Sequence, residues 1–105
     1  PPFCDLCIIT FKGVNECKTE KSAKLFFKLL KEEAEGLYEN IPMKALGVSS
    51  PYIVRLHNQY RRRIIIKCRN RPSFRAFIYK VYHKAMKYKE FSGIRISIDI
   101  NGEIA

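Results

Sequence analysis

Ile94, Ile96, Ile98 and Ile100 alternate with Arg95, Ser97 and Asp99, the cleanest two-residue period in the chain. Strand side chains point alternately to opposite faces, so this pattern predicts a strand with one apolar face laid on a core. Two helical patterns can supply that core. Ala23, Phe26, Phe27, Leu30, Ala34 and Leu37 recur at helical spacing after Thr19, a candidate N-cap. Phe74, Phe77, Ile78, Val81 and Ala85 do the same after Pro72, which suits the first position of a helix. Residues 3–11 read as a strand apolar on both faces and therefore central. Residues 43–49 read as a short second strand, and 52–58 as a connector or a continuing edge strand. In residues 60–68 the β-branched Ile64, Ile65 and Ile66 follow three arginines and predict another strand. The order is β-α-β-β-α-β. Its simplest closure is an α+β sandwich of the ferredoxin-like kind, a split βαβ sheet with both helices on one face. At 105 residues the chain is expected to form a single domain.

Charge is distributed very unevenly over this pattern. Residues 55–89 carry twelve Lys or Arg and no Asp or Glu, whereas the flanking segments together are close to neutral. The whole net charge of +10 therefore arises in one third of the chain. A basic face kept only for solubility mixes its signs. An acid-free block points instead to a polyanionic partner, nucleic acid first. No apolar run approaches the ~18 residues of a membrane-spanning helix, and no membrane partner is expected.

The sequence argues against chemistry within this segment. No phosphate-binding glycine loop, dinucleotide fingerprint or nucleophile elbow occurs. His57 and His83 have no acidic neighbour in sequence, and Asp5 and Asp99 each fall inside a strand. Small βαββαβ acyl phosphatases carry a Gly-rich anion loop with an Arg, and Phe11-Lys12-Gly13-Val14-Asn15 lacks it. Cys4 and Cys7 form a C-x-x-C, but on a strand positions three apart face opposite ways and cannot share one metal. No second C-x-x-C joins Cys17 and Cys68. Free thiols in a reducing cytoplasm are expected, with no catalytic residue, no metal and no cofactor in this segment. The opening Pro1-Pro2-Phe3, without an initiator Met, predicts a piece of a longer protein.

Binding has candidates. Arg61, Arg62 and Arg63 enter the third main strand, and alternation sends Arg61 and Arg63 to one face and Arg62 to the other. With Lys67, Arg69, Lys80, Lys84 and Lys87 they are the expected nucleic-acid contacts. Arg69 and Arg71 precede a helix whose first N–H groups are free to hold an anion, and Arg75 follows one turn later. Tyr60, Tyr79, Tyr82 and Tyr88 are interleaved with this charge, which suits base stacking and packing equally. Arginine clusters also suit carboxylates, including a peptide's C-terminus.

Pro1-Pro2-Phe3-Cys4-Asp5-Leu6, Leu46-Gly47, Tyr60-Arg61, Ile64-Ile65-Ile66-Lys67 and Ile96-Ser97-Ile98-Asp99-Ile100-Asn101 stand in an order and spacing with a precedent. Over essentially all its length the chain resembles the C-terminal domain of the primosomal protein N′ (PriA) family, bacterial ATP-dependent 3′-to-5′ replication-restart helicases. The resemblance implies an S10-type accessory domain of a longer helicase that assembles the primosome at stalled forks. It implies contacts with branched or single-stranded DNA, upstream helicase domains, other primosome proteins and the acidic tail of single-stranded-DNA-binding protein. Arg71 and Arg75 are the expected tail contacts. ATP, Mg and zinc belong to the parent, upstream of this segment. Arg62 stands where the family often has an aromatic residue, Val48 where Pro is common after the Gly, and Gly102 where a Pro often closes the last motif. The rival reading is an S10-like RNA-binding structural component of a ribonucleoprotein.

Overall fold

A computed structural model of the chain describes residues 5–36, 43–50 and 55–101. Its elements are β1 (Asp5–Gly13), α1 (Glu16–Ala34), β2 (Met43–Ser49), β3 (Arg55–Leu56), β4 (Gln59–Cys68), α2 (Pro72–Ala85) and β5 (Arg95–Ile100). One turn of 3₁₀ helix, Lys89–Phe91, precedes β5. The sheet runs β2-β4-β1-β5, every neighbouring pair antiparallel, with the short β3 also on β4. Each helix thus connects two parallel strands separated by a third, β1 to β2 through α1 and β4 to β5 through α2.

The alternation along β1 and β4 decides where the helices lie. Cys7, Ile9 and Phe11 on β1 join Ile64, Ile66 and Cys68 on β4 in one buried cluster. That cluster also holds Ala23, Phe26, Leu29 and Leu30 of α1 and Phe74, Phe77, Ile78, Val81 and Ala85 of α2. Both helices therefore cover the same face. Phe11, Phe26, Phe74 and Phe77 are fully enclosed there, and each such ring contributes roughly 2–3 kcal/mol by leaving water. Phe11 meets Phe26 edge-on at 5.4 Å, and Phe26 meets Phe91 likewise at 6.2 Å. Phe91 lies in the 3₁₀ turn outside any periodic stripe, so periodicity does not single it out.

Two boundaries differ from the sequence expectation, and a third stretch resolves into one of its alternatives. α1 begins a turn early, because Asn15 caps it: its Oδ1 accepts from Lys18 N–H at 2.8 Å. Thr19 is buried inside the first turn, its hydroxyl donating to the Asn15 carbonyl at 2.7 Å. β1 runs on to Gly13, two residues past the expected end of the strand at Phe11. A Cβ at Gly13 would lie 2.5 Å from Thr19 Oγ1 and 2.7 Å from Ile94 Cδ1, so only glycine lets α1 and the β5 entry approach there. The connector after β2 contributes the two-residue β3, turned back on β4 by His57 and Asn58 at φ 53° and 61°. Two positive φ values are what a tight hairpin of matching twist requires. Pro1, Pro2, Phe3, Cys4, Leu37 and Gly102, each named in the sequence expectations, lie outside the described residues, as do residues 52–54 of the expected connector.

Candidate nucleic-acid interface

With both helices on one side, the other face of the sheet is open. Leu6, Ile8, Thr10 and Lys12 point there from β1, and Arg61, Arg63, Ile65 and Lys67 from β4, by strand alternation; of these Ile8 is buried and the others are half-buried or exposed. Register then brings together cations that are far apart in sequence. Lys12 is the partner of Arg61 on one side and of Arg95 on the other. Arg61, Lys12 and Arg95 thus form a row across three neighbouring strands, spaced ~4.8 Å per strand. Arg63 follows in the next row of that face, opposite Thr10. At the far end of β4, Lys67 pairs with Lys44 of β2.

Like charges directly opposite each other on a sheet destabilise it. Lys12, Arg61, Arg95, Lys44 and Lys67 take part in no ion pair among the described residues. Asp99, the acid on this face among the described residues of β1, β4 and β5, stands opposite Ile8, roughly 13 Å along the strand from the Lys12 row. An anion laid across the row would relieve the repulsion that the fold leaves standing. The open-face positions of β1 and β4 hold no aromatic ring, so these two strands offer charge to a phosphate chain but no platform for a base. The interleaved tyrosines are elsewhere. Tyr79 is 60% exposed on α2 and stacks on His83, and Tyr60 lies opposite Gly13, on the helix side.

Several expected contact residues have other work. Arg62 points to the helix side, where it is buried beneath α1. Its Nη2 reaches Glu16 at 3.2 Å, its Nε Glu20 at 3.3 Å, and its Nη1 donates to the Arg61 carbonyl at 2.8 Å. Lys80 and Lys84 of α2 both hold Glu33 of α1, at 3.2 and 3.0 Å. These three cations fasten helices to the body of the domain. Lys87 is exposed just beyond α2, away from the sheet row. Arg69, Arg71 and Arg75 gather at the α2 start. Arg71 takes the N-cap position without a side-chain cap bond, and Arg75 Nη1 donates to Asn70 Oδ1 at 2.6 Å. The Asn70 N–H in turn donates to Asp5 Oδ2 at 2.7 Å, tying this loop to β1. Lys12, Lys44 and Arg95 lie outside the basic block, and only the strand register reveals their place in the face.

The Glu33 cluster titrates. The Lys84 hydrogen bond holds the Glu33 carboxyl below its ordinary range, with burial opposing and Lys80 assisting, and Lys84 is raised in turn by Glu33. A depressed carboxyl stabilises the fold fully above the unfolded value of ~4.3 and loses that contribution as pH falls through the folded value. Glu33→Gln is therefore expected to lower the urea midpoint at pH 7 and to lower it less at pH 3. Parallel urea titrations at the two pH values measure this.

Cys7 is enclosed, and burial, with Cys68 and Asp99 adding, pushes its thiol up to about 12. It is an inert core residue at neutral pH. Cys68 is buried and Cys17 exposed, and no disulfide joins Cys7, Cys17 or Cys68. Among the described residues no three His, Cys, Asp or Glu side chains gather as a metal site would require.

No family model matches the chain, and no curated protein matches it. Solved structures do. The de novo designed protein Foldit4 superposes with a TM-score of 0.63 at 9% identity, over 94% of this chain and 97% of its own. A de novo designed protein with ferredoxin fold gives 0.58 at 13% identity, over 96% and 88%. A dimeric ferredoxin-like protein from an uncultured marine organism gives 0.52 at 14% identity, over 91% of each chain. The fold is ferredoxin-like. At these identities the likeness carries the βαββαβ architecture and nothing about activity.

Proposed function

We propose that this domain binds the phosphate backbone of branched or single-stranded DNA across the open face of its sheet. In this reading it is the DNA-binding and partner-docking C-terminal domain of a replication-restart helicase of the primosomal protein N′ family, working in the bacterial cytoplasm. The observation that carries the DNA contact is the row Arg61–Lys12–Arg95, where cations on adjacent strands oppose one another with no ion-pair partner among the described residues. Arg63 and the Lys44–Lys67 pair extend that charge along the sheet. Contacts of this kind hold the backbone and read no sequence, as suits a protein that must act at any stalled fork. Among the described residues no helix is long and apolar enough to cross a membrane.

The test is fluorescence anisotropy with a labelled fork, a single strand and a structured RNA across a salt series. Saturable binding to DNA is expected, with log K falling by about 0.7 per phosphate contacted on single strands and about 0.9 on duplex arms. No binding to DNA at low salt removes the proposal, and a clear preference for structured RNA transfers the face to the ribonucleoprotein reading. The α2 start is the proposed dock for the acidic tail of single-stranded-DNA-binding protein. There Arg71→Ala with Arg75→Ala is expected to weaken tail-peptide affinity by roughly tenfold, at ~1 kcal/mol or less per lost charged contact. Isothermal titration measures it, and unchanged affinity clears those residues of the role.

A further inference from the structure

β5 is an edge strand: β1 pairs with one side of it, and among the described residues no strand pairs with the other. The direction of its backbone groups follows from one hydrogen bond. Asn101 N–H donates to the Leu6 carbonyl at 2.6 Å, one step beyond the Cys7–Ile100 pair. In an antiparallel ladder bonded and non-bonded pairs alternate, so Arg95, Ser97 and Asp99 turn their N–H and C=O groups toward β1. Those of Ile96, Ile98 and Ile100 turn outward, unused by the sheet.

The side chains on this edge form a palindrome. Read from either end about Ser97, Ile94-Arg95-Ile96-Ser97-Ile98-Asp99-Ile100 presents isoleucine opposite isoleucine and arginine opposite aspartate. We infer that β5 pairs antiparallel with β5 of a second copy of this chain, on a two-fold axis at Ser97, to join two sheets into one. In that register Ile96 bonds the other copy's Ile98 on both sides of the axis, which matches the outward backbone groups, and Ile100 stands opposite its Ile94, whose N–H is already given to the Phe91 carbonyl at 3.1 Å. Ser97 meets Ser97, and Arg95 meets Asp99 twice, in the non-bonded pairs where cross-strand side chains come closest. Arg95 and Asp99 are both exposed, and neither has an ion-pair partner among the described residues.

The neighbouring registers fail on charge. Centring on Ile96 sets Arg95 against Ser97 and Asp99 against Gly93, and centring on Ile98 sets Ser97 against Asp99. A one-residue slip turns isoleucines to the charged face. Edge strands are commonly blunted by charge, but a charge placed only to blunt an edge need not find its opposite in its own copy. The partly buried Ile94, Ile96, Ile98 and Ile100 gain cover on the helix side of the joined sheet.

A single strand pair is a small interface, so a weak dimer is expected, with Kd on the order of 100 μM. Sedimentation velocity of the chain from 10 μM to 1 mM, without nucleic acid, tests it (the concentrations bracket that rough Kd). Wild type should dimerise with rising concentration. Asp99→Arg and Arg95→Asp should each weaken the dimer at least tenfold. The two together should restore it, since the exchange again sets an acid against a base at both ends of the strand pair. A chain monomeric to 1 mM overturns the inference, as do single variants that dimerise like wild type or a double variant that stays monomeric. Asp99→Arg also separates this inference from DNA binding. It adds a cation to the open face, so it should break the dimer without weakening DNA affinity.

Discussion

Replacing Lys12, Arg61 and Arg95 together by alanine is expected to lower affinity for single-stranded DNA about 100-fold at low salt, taking ~1 kcal/mol per lost charged contact. The slope of log K against log salt should become shallower by about 2, at ~0.7 for each of three phosphates no longer neutralised. Stability should move the other way. The variant removes two like-charged cross-strand pairs, Lys12–Arg61 and Lys12–Arg95, and such pairs destabilise a sheet by ~0.2–1 kcal/mol each. A thermal midpoint equal to or above that of wild type, with the loss of binding, is the signature of a site rather than a scaffold. The Lys12→Ala, Arg61→Ala double leaves β5 untouched and should carry most of the loss. Reduced affinity with an unchanged salt slope would place the phosphate contacts elsewhere. Binding measured by anisotropy and unfolding followed by circular dichroism supply both readouts.

How much of this was legible in the sequence depends on the distance over which each feature is decided. The α2 stripe from Phe74 to Ala85 and the β5 alternation are local, and both hold because one face of each element turns to the core along its length, buried in α2 and partly buried in β5. The α1 start is local too but ambiguous, since Asn15 and Thr19 are both capping residues four apart. Competition for one helix end is settled by which of them lies outside the first turn. The separation of Arg62 from Arg61 and Arg63 follows from alternation alone. Which of the two faces is buried does not, because that depends on the side the helices take. The cation row is the least legible. Lys12 and Arg95 are single charges outside the basic block, and only the β1–β4 and β1–β5 registers set them beside Arg61. A count of charge along the chain finds the field and misses its geometry.

Arg62→Ala is expected to destabilise the domain by ~2–3 kcal/mol while leaving the DNA affinity of the folded protein unchanged. The Arg62 side chain is only 10% exposed and serves Glu16, Glu20 and the Arg61 carbonyl at once. Its loss opens a void between β4 and α1, but its acidic partners do not become stranded. Glu16 is 55% and Glu20 33% exposed, so both reach water, and Glu16 remains favourable in the first turn of α1. The opposite deletion is therefore the harsher one. Glu16→Ala with Glu20→Ala leaves a buried guanidinium with a single carbonyl and should cost ~3–5 kcal/mol, the range for an uncompensated buried charge. Arg62→Lys should resemble alanine more than arginine, because one ammonium on a flexible stem cannot span three partners. Arg62→Met should be the mildest change, since it keeps the packed stem and removes the charge that needed solvation. Urea denaturation of the four variants orders these costs, and anisotropy on each checks binding. If Arg62→Ala weakened DNA binding without loss of stability, Arg62 would belong to the interface, and α1 would have to move away from β4 to expose it.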